Sequence, residues 1–283
     1  MELTGCGALV TGGSGDLGRA IAVALAGAGA DVAVTWVGYR EGASETCRQV
    51  EKRGRRTAMI QLDQSDPAAI APAVDEAAAA LGRLDVLVNN AGWNAGVPFR
   101  DLEGMTVDLW DRIKDVNLRG PFLLARAAAR HLRARGAGRI VNVASVAGLR
   151  PAGSSIAYAV SKAGLIHLTR CLAVALAPDV TVNCVAPGLM EGTRAWRPAC
   201  PPRWLRARAV WPCSSAPPRS KTSRPRSSPS AVPTASPARY STSTAASIST
   251  DCRGAWTCRG NITIIGRSTG RAPARPDSKG DAS

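Results

Sequence analysis

Short apolar runs alternate with longer amphipathic stretches over the first 190 positions of the chain. The short runs are apolar almost throughout, which is typical of strands that are buried on both faces of a parallel sheet. Six such runs predict strands at 8–11, 32–35, 58–62, 86–89, 140–144 and 181–186. The stretches between them have the length and spacing of helices, at 17–29, 42–53, 68–81, within 107–135, and at 157–176.

Strands that alternate with helices of this length imply right-handed β-α-β units. The predicted fold class is therefore α/β, a Rossmann-type doubly wound parallel sheet, in a domain at residues 1–195. Ligands of such sheets bind beyond the carboxyl ends of the strands. Polar residues that directly follow a strand are therefore the candidates for function.

The sequence changes character after residue 195. From 196 to 247 it consists mainly of Pro, Ser, Arg, Thr and Ala without a lasting apolar period, and 12 of the 19 prolines lie after Ala195. This composition predicts a disordered or aberrant C-terminal tail over 196–283. One short apolar run at 262–265 predicts a strand, but the sequence offers it no obvious partner.

The tail also carries most of the positive charge. The net charge is +15, and 15 of the 36 Lys and Arg residues but only 3 of the 21 Asp and Glu residues lie after residue 195. A basic segment with interleaved aromatic residues is typical of nucleic-acid binding. The aromatic residues here follow no repeat, so nucleic acid is an alternative partner and not the expected one. They are Trp196, Trp204, Trp211, Tyr240 and Trp256.

Nothing in the sequence predicts a membrane span, a targeting segment or a metal site. Strand-like residues begin at Gly7, which leaves no room for a signal peptide, and the longest apolar stretch, at 20–34, is short and interrupted. His131 and His167 have no evident ligand partner. The cysteines form no CxxC pair, and four of them are expected to be reduced, buried thiols of a cytoplasmic protein. These are Cys6, Cys47, Cys171 and Cys184.

The first strand runs into a glycine-rich turn and then into a helix. Gly13, Gly15 and Gly18 satisfy the pattern GxGxxG in this context. Glycines allow the main chain to approach a pyrophosphate closely, and the helix N-terminus offers unpaired N–H groups and a favourable dipole to the anion. Taken alone, the pattern also fits an ordinary glycine-rich turn.

A second candidate group lies at the start of the helix at 157–176. Tyr158 and Lys162 are four residues apart, so they share one face of that helix. A free phenol has a pKa of roughly 10, and a neighbouring ammonium would lower it. Tyr158 could then protonate a carbonyl oxygen while a nicotinamide cofactor delivers hydride to the carbon. Ser145, after the fifth strand, would hydrogen-bond the same oxygen.

Each of these residues taken singly has an ordinary structural explanation, such as a solvated helix face or a strand-end hydroxyl. Their combination is specific: seven motifs in unbroken order between residues 3 and 194 resemble the short-chain dehydrogenase/reductase family, particularly its ketoacyl-reductase-like members. The motifs are the glycine-rich turn, Asp63, Asn89-Asn90-Ala91-Gly92, Asn117, Ser145, Tyr158 with Lys162, and Asn183 with Pro187-Gly188. The resemblance implies an NAD(P)-dependent oxidoreductase that acts on a ketone or a secondary alcohol and assembles as a homo-oligomer.

The resemblance also implies which residues form the site. The catalytic residues would be Asn117, Ser145, Tyr158 and Lys162, with Lys162 also holding the nicotinamide ribose and Asn117 anchoring a water in a proton relay. The carboxylate of Asp63 would accept from the adenine amino group. The complete set of expected cofactor contacts is Gly12, Ser14, Gly15, Leu17, Gly18, Thr35, Arg40, Asp63, Gln64, Asn90, Ala91, Gly92, Tyr158, Lys162, Pro187, Gly188 and Met190.

Two positions depart from the commonest family pattern. Asp16 stands where the penultimate glycine of the turn is usual, and its side chain is expected to face away from the phosphates. The second strand runs into Trp36 and Val37 without the acid that would bind the ribose 2′-hydroxyl of NAD, whereas Arg40 could meet a 2′-phosphate. The sequence therefore favours NADP(H) over NAD(H), in a ketoreductase for ketoacyl or polyketide-type substrates. An inactive relic that lacks its substrate-covering segment is a further alternative.

The tail has the character of an out-of-frame translation. The family normally continues with a helix and a last strand reading like Thr-Gly-Gln-x-Leu-x-Val-Asp-Gly-Gly. Residues 236–246 read Ser-Pro-Ala-Arg-Tyr-Ser-Thr-Ser-Thr-Ala-Ala. When the third base of each codon is read with the first two of the next, this string allows Thr-Gly-Gln-Val-Leu-Asp-Val-Asp-Gly-Gly. We therefore interpret residues from about 195 to 283 as the product of a frameshift in the gene or its reading.

Overall fold

The computed structural model describes residues 2–188 and four later strand segments, at 243–245, 249–250, 256–257 and 260–265. Over 2–188, strands and helices alternate as the apolar pattern predicts. In chain order they are β1 Gly7–Val10, α1 Asp16–Gly27, β2 Asp31–Trp36, α2 Arg40–Glu51, β3 Thr57–Gln61, α3 Pro67–Leu81, β4 Val86–Asn89, α4 Val107–Lys114, α5 Gly120–Arg133, β5 Gly138–Val143, α6 Ile156–Ala175 and β6 Val180–Pro187. The later segments are β7 Ser243–Ala245, β8 Ser249–Thr250, β9 Trp256–Thr257 and β10 Gly260–Ile265.

The first six strands form a parallel sheet in the order β3-β2-β1-β4-β5-β6. This confirms the predicted fold class, a Rossmann-type doubly wound sheet. Beyond β6 the sheet continues with β10 and β7, both antiparallel to their neighbours, while β8 and β9 form a separate antiparallel pair. The expectation that the apolar run at 262–265 lacks a partner was therefore wrong: Ile262 to Ile265 pair with Pro187 to Cys184.

Helices cover both faces of the sheet, and the strands therefore have no polar side. Leu9 of β1 packs in a cluster with Val74 of α3 and Leu124 of α5. Its neighbour Val10 points to the opposite face, in a cluster with Leu25 of α1. Burying each such side chain contributes roughly 1.5–3 kcal/mol relative to leaving it in water. The two clusters hold the strand ends in register, and the candidate residues lie on those ends.

The helical stretch expected within 107–135 is not continuous. A π turn at Asp115–Arg119 separates α4 from α5. Pro121 explains the interruption, because a proline inside a helix lacks the N–H and its ring clashes with the carbonyl four residues earlier, that of Asn117. Asn117 therefore lies in the π turn and not in a regular helix.

The expectation of four buried thiols needs correction. Cys171 is exposed on α6 and Cys6 and Cys47 are only half-buried, so that Cys184 alone of the four is a buried thiol. His131 is half-buried, and its Nε2 lies 2.8 Å from the carboxylate of Asp75. None of the helices in the part of the chain that the structure describes is both long and apolar enough to cross a lipid bilayer.

Candidate active site

The glycine-rich turn after β1 is bound to the loop after β4. Thr11 is fully buried, and its hydroxyl accepts from the main-chain N–H groups of Asn90 and Ala91, each at 3.0 Å. In return the Asn90 side chain donates to the carbonyl oxygens of Thr11 and Gly12. The turn and the loop therefore form one unit at the carboxyl edge of the sheet. The sequence interpretation missed Thr11, although a threonine directly after a buried strand was a usable signal.

The glycines of this turn have different tasks. Gly12 has a φ of +67°, and a Cβ there would lie 2.9 Å from the Cα of Ala91. A Cβ on Gly18 would lie 2.2 Å from the carbonyl oxygen of Gly12, so α1 could not approach the turn. A Cβ on Gly13 would meet the side chain of Val34, which makes Gly13 a packing residue. Gly12 therefore allows the turn to pack against the loop after β4, and Gly18 allows α1 to pack against the turn.

The N-terminus of α1 has the chemistry of an anion site. Gly15 is the N-cap residue, and it supplies no side chain to bond the N–H groups of the first turn, which includes Asp16, Leu17 and Gly18. Such N–H groups, together with the helix dipole, are the usual ligands of a pyrophosphate. Asp16 is half-buried in that first turn, and the direction of its carboxylate stays a prediction.

Helix α2 is tied to the back of the turn. Thr46 donates to the carbonyl oxygen of Gly13 at 2.7 Å, and Arg19 donates to Thr46 at 3.2 Å. Thr35, predicted as a cofactor contact, is buried, and its hydroxyl accepts from the N–H of Gly12 at 3.0 Å. Its hydroxyl thus holds the turn from behind. Arg40, by contrast, is exposed at the first residue of α2.

Beyond β3, Asp63 and Gln64 lie in opposite environments. Asp63 is exposed, and its carboxylate accepts from the hydroxyl of Ser65 at 2.7 Å and from the N–H of Ser65 at 2.9 Å. The hydroxyl bond in particular lowers the pKa of Asp63, so the carboxylate is ionised near neutrality and suited to accept from an amino group. The side chain of Gln64 is 4% exposed and turned into the protein.

Tyr158 and Lys162 meet Ser145 between α6 and the end of β5. The start of α6 is fixed by Ser155, which is fully buried and accepts from the N–H of Tyr158 at 3.2 Å. The Lys162 ammonium donates to the carbonyl oxygen of Val143 at 2.9 Å and lies 5.8 Å from the centre of the Tyr158 ring. The side chain of Ser145 lies close enough to the phenol to lower its pKa. Three of the four predicted catalytic side chains are therefore brought together.

The protonation of this group differs from the sequence-based expectation. Burial raises the pKa of Tyr158 above its ordinary value of 10, and the hydrogen bond with Ser145 lowers it by less. Desolvation of the phenol outweighs every lowering effect, so the decrease expected from the Lys162 ammonium is not found. Burial separately lowers the pKa of Lys162 to about 8. At neutral pH Tyr158 is therefore a protonated phenol, which is the form that can donate to a carbonyl oxygen.

The buried ammonium predicts a specific pH dependence of stability. The pKa of Lys162 falls from 10.5 to about 8 on folding, so between these pH values the unfolded chain binds more protons than the folded one. Stability should therefore rise with pH through this window, by about 3 kcal/mol from this group. We expect the free energy of unfolding of the parent, minus that of Lys162→Met, to increase by this amount between pH 8 and pH 10.5 in urea titrations. A constant difference would contradict the lowered pKa.

Asn117 is fully buried, and its side chain bonds to main-chain groups. Its Oδ1 accepts from the N–H of Trp93 at 2.8 Å, and its Nδ2 donates to the Trp93 carbonyl at 2.9 Å and to the Ser161 hydroxyl at 3.1 Å. Gly92 lies between Asn117 and Lys162, since a Cβ there would be 3.3 Å from Oδ1 and 3.5 Å from Nζ. The predicted water relay stays a prediction.

Two other features complete the edge of the site. The guanidinium carbon of Arg112 lies 4.3 Å from the centre of the Trp93 ring, a contact that no sequence motif predicts. Pro187 is the last residue of β6 and Gly188 follows it at the same edge, whereas the predicted contact Met190 lies outside the described residues. Among the described residues, no group of three or more His, Cys, Asp or Glu side chains could hold a metal ion.

The chain is similar to a family model and to several known proteins. Residues 7–202 match the family model described as short chain dehydrogenase. A candidate ketoacyl reductase of the granaticin polyketide synthase of Streptomyces violaceoruber is 43% identical over 191 residues, which are 65% of this chain and 72% of that protein. A short chain dehydrogenase of Burkholderia cenocepacia in complex with NADP is 44% identical, with a TM-score of 0.64, over 69% of this chain and 78% of that one. An NAD+-bound xylitol dehydrogenase is 32% identical, with a TM-score of 0.62, over 66% of this chain and 72% of that one.

Proposed function

The chain belongs to the short-chain dehydrogenase/reductase family of oxidoreductases, and we propose that it is an NADPH-dependent ketoreductase. The observation that carries this proposal is the group formed by half-buried Tyr158 and Ser145 with the buried Lys162, at the same edge of the sheet as the glycine-rich turn and the N-terminus of α1. Burial keeps the phenol protonated, and the ammonium stands next to it. This arrangement suits the reduction of a carbonyl group.

Each residue of the site would have its own role in that reaction. Bound NADPH would supply the hydride. Tyr158 donates the proton of its hydroxyl to the carbonyl oxygen, and Ser145 donates a hydrogen bond to the same oxygen and so orients the substrate. Lys162 would hold the nicotinamide ribose and stabilise the phenolate that remains after proton transfer. The N-terminus of α1, Gly12 and the loop at 90–92 would hold the phosphates and the nicotinamide half.

The preference for NADPH rests on the surroundings of β2. Residues 35–40, from the end of β2 to the start of α2, include no acid that would bind a ribose 2′-hydroxyl, and Arg40 is exposed at the first position of α2. At equal concentrations well above the dissociation constant for NADPH, we expect NADPH to raise the melting temperature by roughly 5 °C more than NADH. Arg40→Ala should remove at least half of that difference, because the guanidinium would be the main ligand of the 2′-phosphate.

The matched control is Arg48→Ala, which removes another exposed arginine from α2 and should leave the difference unchanged. A larger rise in melting temperature with NADH than with NADPH would contradict the proposed preference for NADPH. An equal loss in both variants would show that only the general charge of α2 matters.

The proposed substrates are ketoacyl thioesters or polyketide-type ketones, supported by the similarity to the ketoacyl reductase named above. Loss of NADPH absorbance on addition of a β-ketoacyl thioester tests this activity. We also propose a homo-oligomer, since α4, α5 and α6 each present a large apolar side chain to solvent that a second copy could cover. These side chains are Val107, Phe122 and Val160.

A further inference from the structure

The π turn leaves one main-chain carbonyl without either of its regular donors. In an α-helix the carbonyl of Val116 would accept from the N–H of Gly120, but that N–H bonds the carbonyl of Asp115 instead. In the π pattern the donor would be residue 121, which is a proline and has no N–H. A buried carbonyl in this position needs a donor from elsewhere.

Gln64 provides that donor from the loop after β3. Its Nε2 donates to the carbonyl oxygen of Val116 and lies 3.4 Å from the carbonyl oxygen of Ala91. Both neighbours of Nε2 are acceptors, which fixes the orientation of the amide. The Oε1 atom has no hydrogen-bond partner among the described residues, so the amide acts here through its nitrogen alone.

Gly120 makes this contact possible. A Cβ at position 120 would lie 3.2 Å from Nε2 of Gln64 and 2.9 Å from its carbonyl oxygen, so any side chain there would push Gln64 away. Gly120 and Pro121 therefore act together. Pro121 lacks the N–H that would otherwise bond the carbonyl of Val116, and Gly120 leaves room for the amide of Gln64, which bonds that carbonyl instead. The two residues stand next to each other in the sequence, directly after the π turn.

We propose that Gln64 is a positioning residue, which holds the π turn that carries Asn117 against the loop that carries Gly92. Its two partners, Ala91 and Val116, each directly precede one of these residues. Asn117 in turn fixes both main-chain groups of Trp93 and faces Lys162 across Gly92. Because displacements of about 1 Å at an active site are costly for rate, the amide of Gln64 would act on catalysis through Asn117 and Lys162. The consequence for catalysis rests on the proposed function.

The test uses the full chain with Gln64→Leu, which removes the donor but keeps most of the side-chain volume. We expect main-chain amides at 91–93 and 118–120 to exchange with deuterium at least about tenfold faster, and kcat to fall about ten- to a hundredfold while the Kd for NADPH changes less than about threefold. The matched control is Gln61→Leu, an exposed glutamine at the end of β3, which should change none of these. Gly120→Ala perturbs the same contact from the other side and should repeat the exchange pattern even if Gln64→Leu folds poorly.

The outcomes separate the alternatives. Unchanged exchange in both variants, or faster exchange spread equally over β1 and β5, would overturn the positioning role. A loss of NADPH affinity as large as the loss of kcat would make Gln64 a cofactor contact instead. If the parent reduces no carbonyl compound, the proposed function fails, while hydrogen exchange still decides whether Gln64 holds the two segments together.

Discussion

A chain in which everything after residue 195 is replaced by the translation of the alternative reading frame is expected to melt about 10 °C or more above the chain as it stands, and to be the more active reductase. The family match ends at residue 202, and the 191 residues shared with the Streptomyces relative are only 72% of that protein. The alternative frame allows a family-like last strand beyond the matched residues. A core strand and its helix bury several apolar side chains, each contributing roughly 1.5–3 kcal/mol.

The matched control is a chain cut after residue 195, because it removes the basic tail without adding the alternative segment. A rise in melting temperature as large in the truncated chain as in the reframed one would show that the tail merely destabilises. Sequencing the gene comes first. Stops in the alternative frame between codons 200 and 246, or the absence of the Thr-Gly-Gln-Val-Leu-Asp-Val-Asp-Gly-Gly string, would end the hypothesis.

Tyr158→Phe is expected to lower kcat for carbonyl reduction about a thousandfold, within the range that general acid catalysis contributes. The substitution keeps the ring and its packing but removes the only proton that this side chain can give to the carbonyl oxygen. NADPH affinity should change less than about threefold, because Lys162 keeps its bond to the carbonyl of Val143 and its place beside Gly92. Initial rates with a β-ketoacyl thioester, and fluorescence titration with NADPH, measure the two quantities.

Tyr39→Phe is the matched control, since Tyr39 is 43% exposed just before α2 and should retain its rate after loss of the hydroxyl. If Tyr158→Phe keeps more than about a tenth of the parent rate, Tyr158 is not the general acid. Both variants should be made in the more active of two chains: the present one, or the one that carries the alternative reading frame after residue 195.

Local sequence patterns were sufficient to predict the fold of residues 2–188. The apolar period distinguishes strand from helix, so the positions of the six parallel strands follow from it, with ends that differ by at most two residues from the observed ones. Tyr158 and Lys162 could be paired for the same reason, since residues four apart on a helix share a face. The π turn also had a local signal, because Pro121 follows Gly120 inside a stretch that otherwise predicts a continuous helix.

The sequence by itself thus determined the sheet, the glycine-rich turn and the residues at the strand ends. Only the tertiary structure decided what those residues do to one another. The bond from Gln64 to Val116 joins positions 52 apart in the chain, and the hydroxyl of Thr11 meets residues 79 and 80 positions away. The pKa values of Lys162 and Tyr158 both depend mainly on burial, which for Tyr158 outweighs the opposite effect of Ser145, and no local pattern measures burial. Desolvation and long-range hydrogen bonds arise when separate elements pack together, and for that reason they are decided by the fold and not by any one segment.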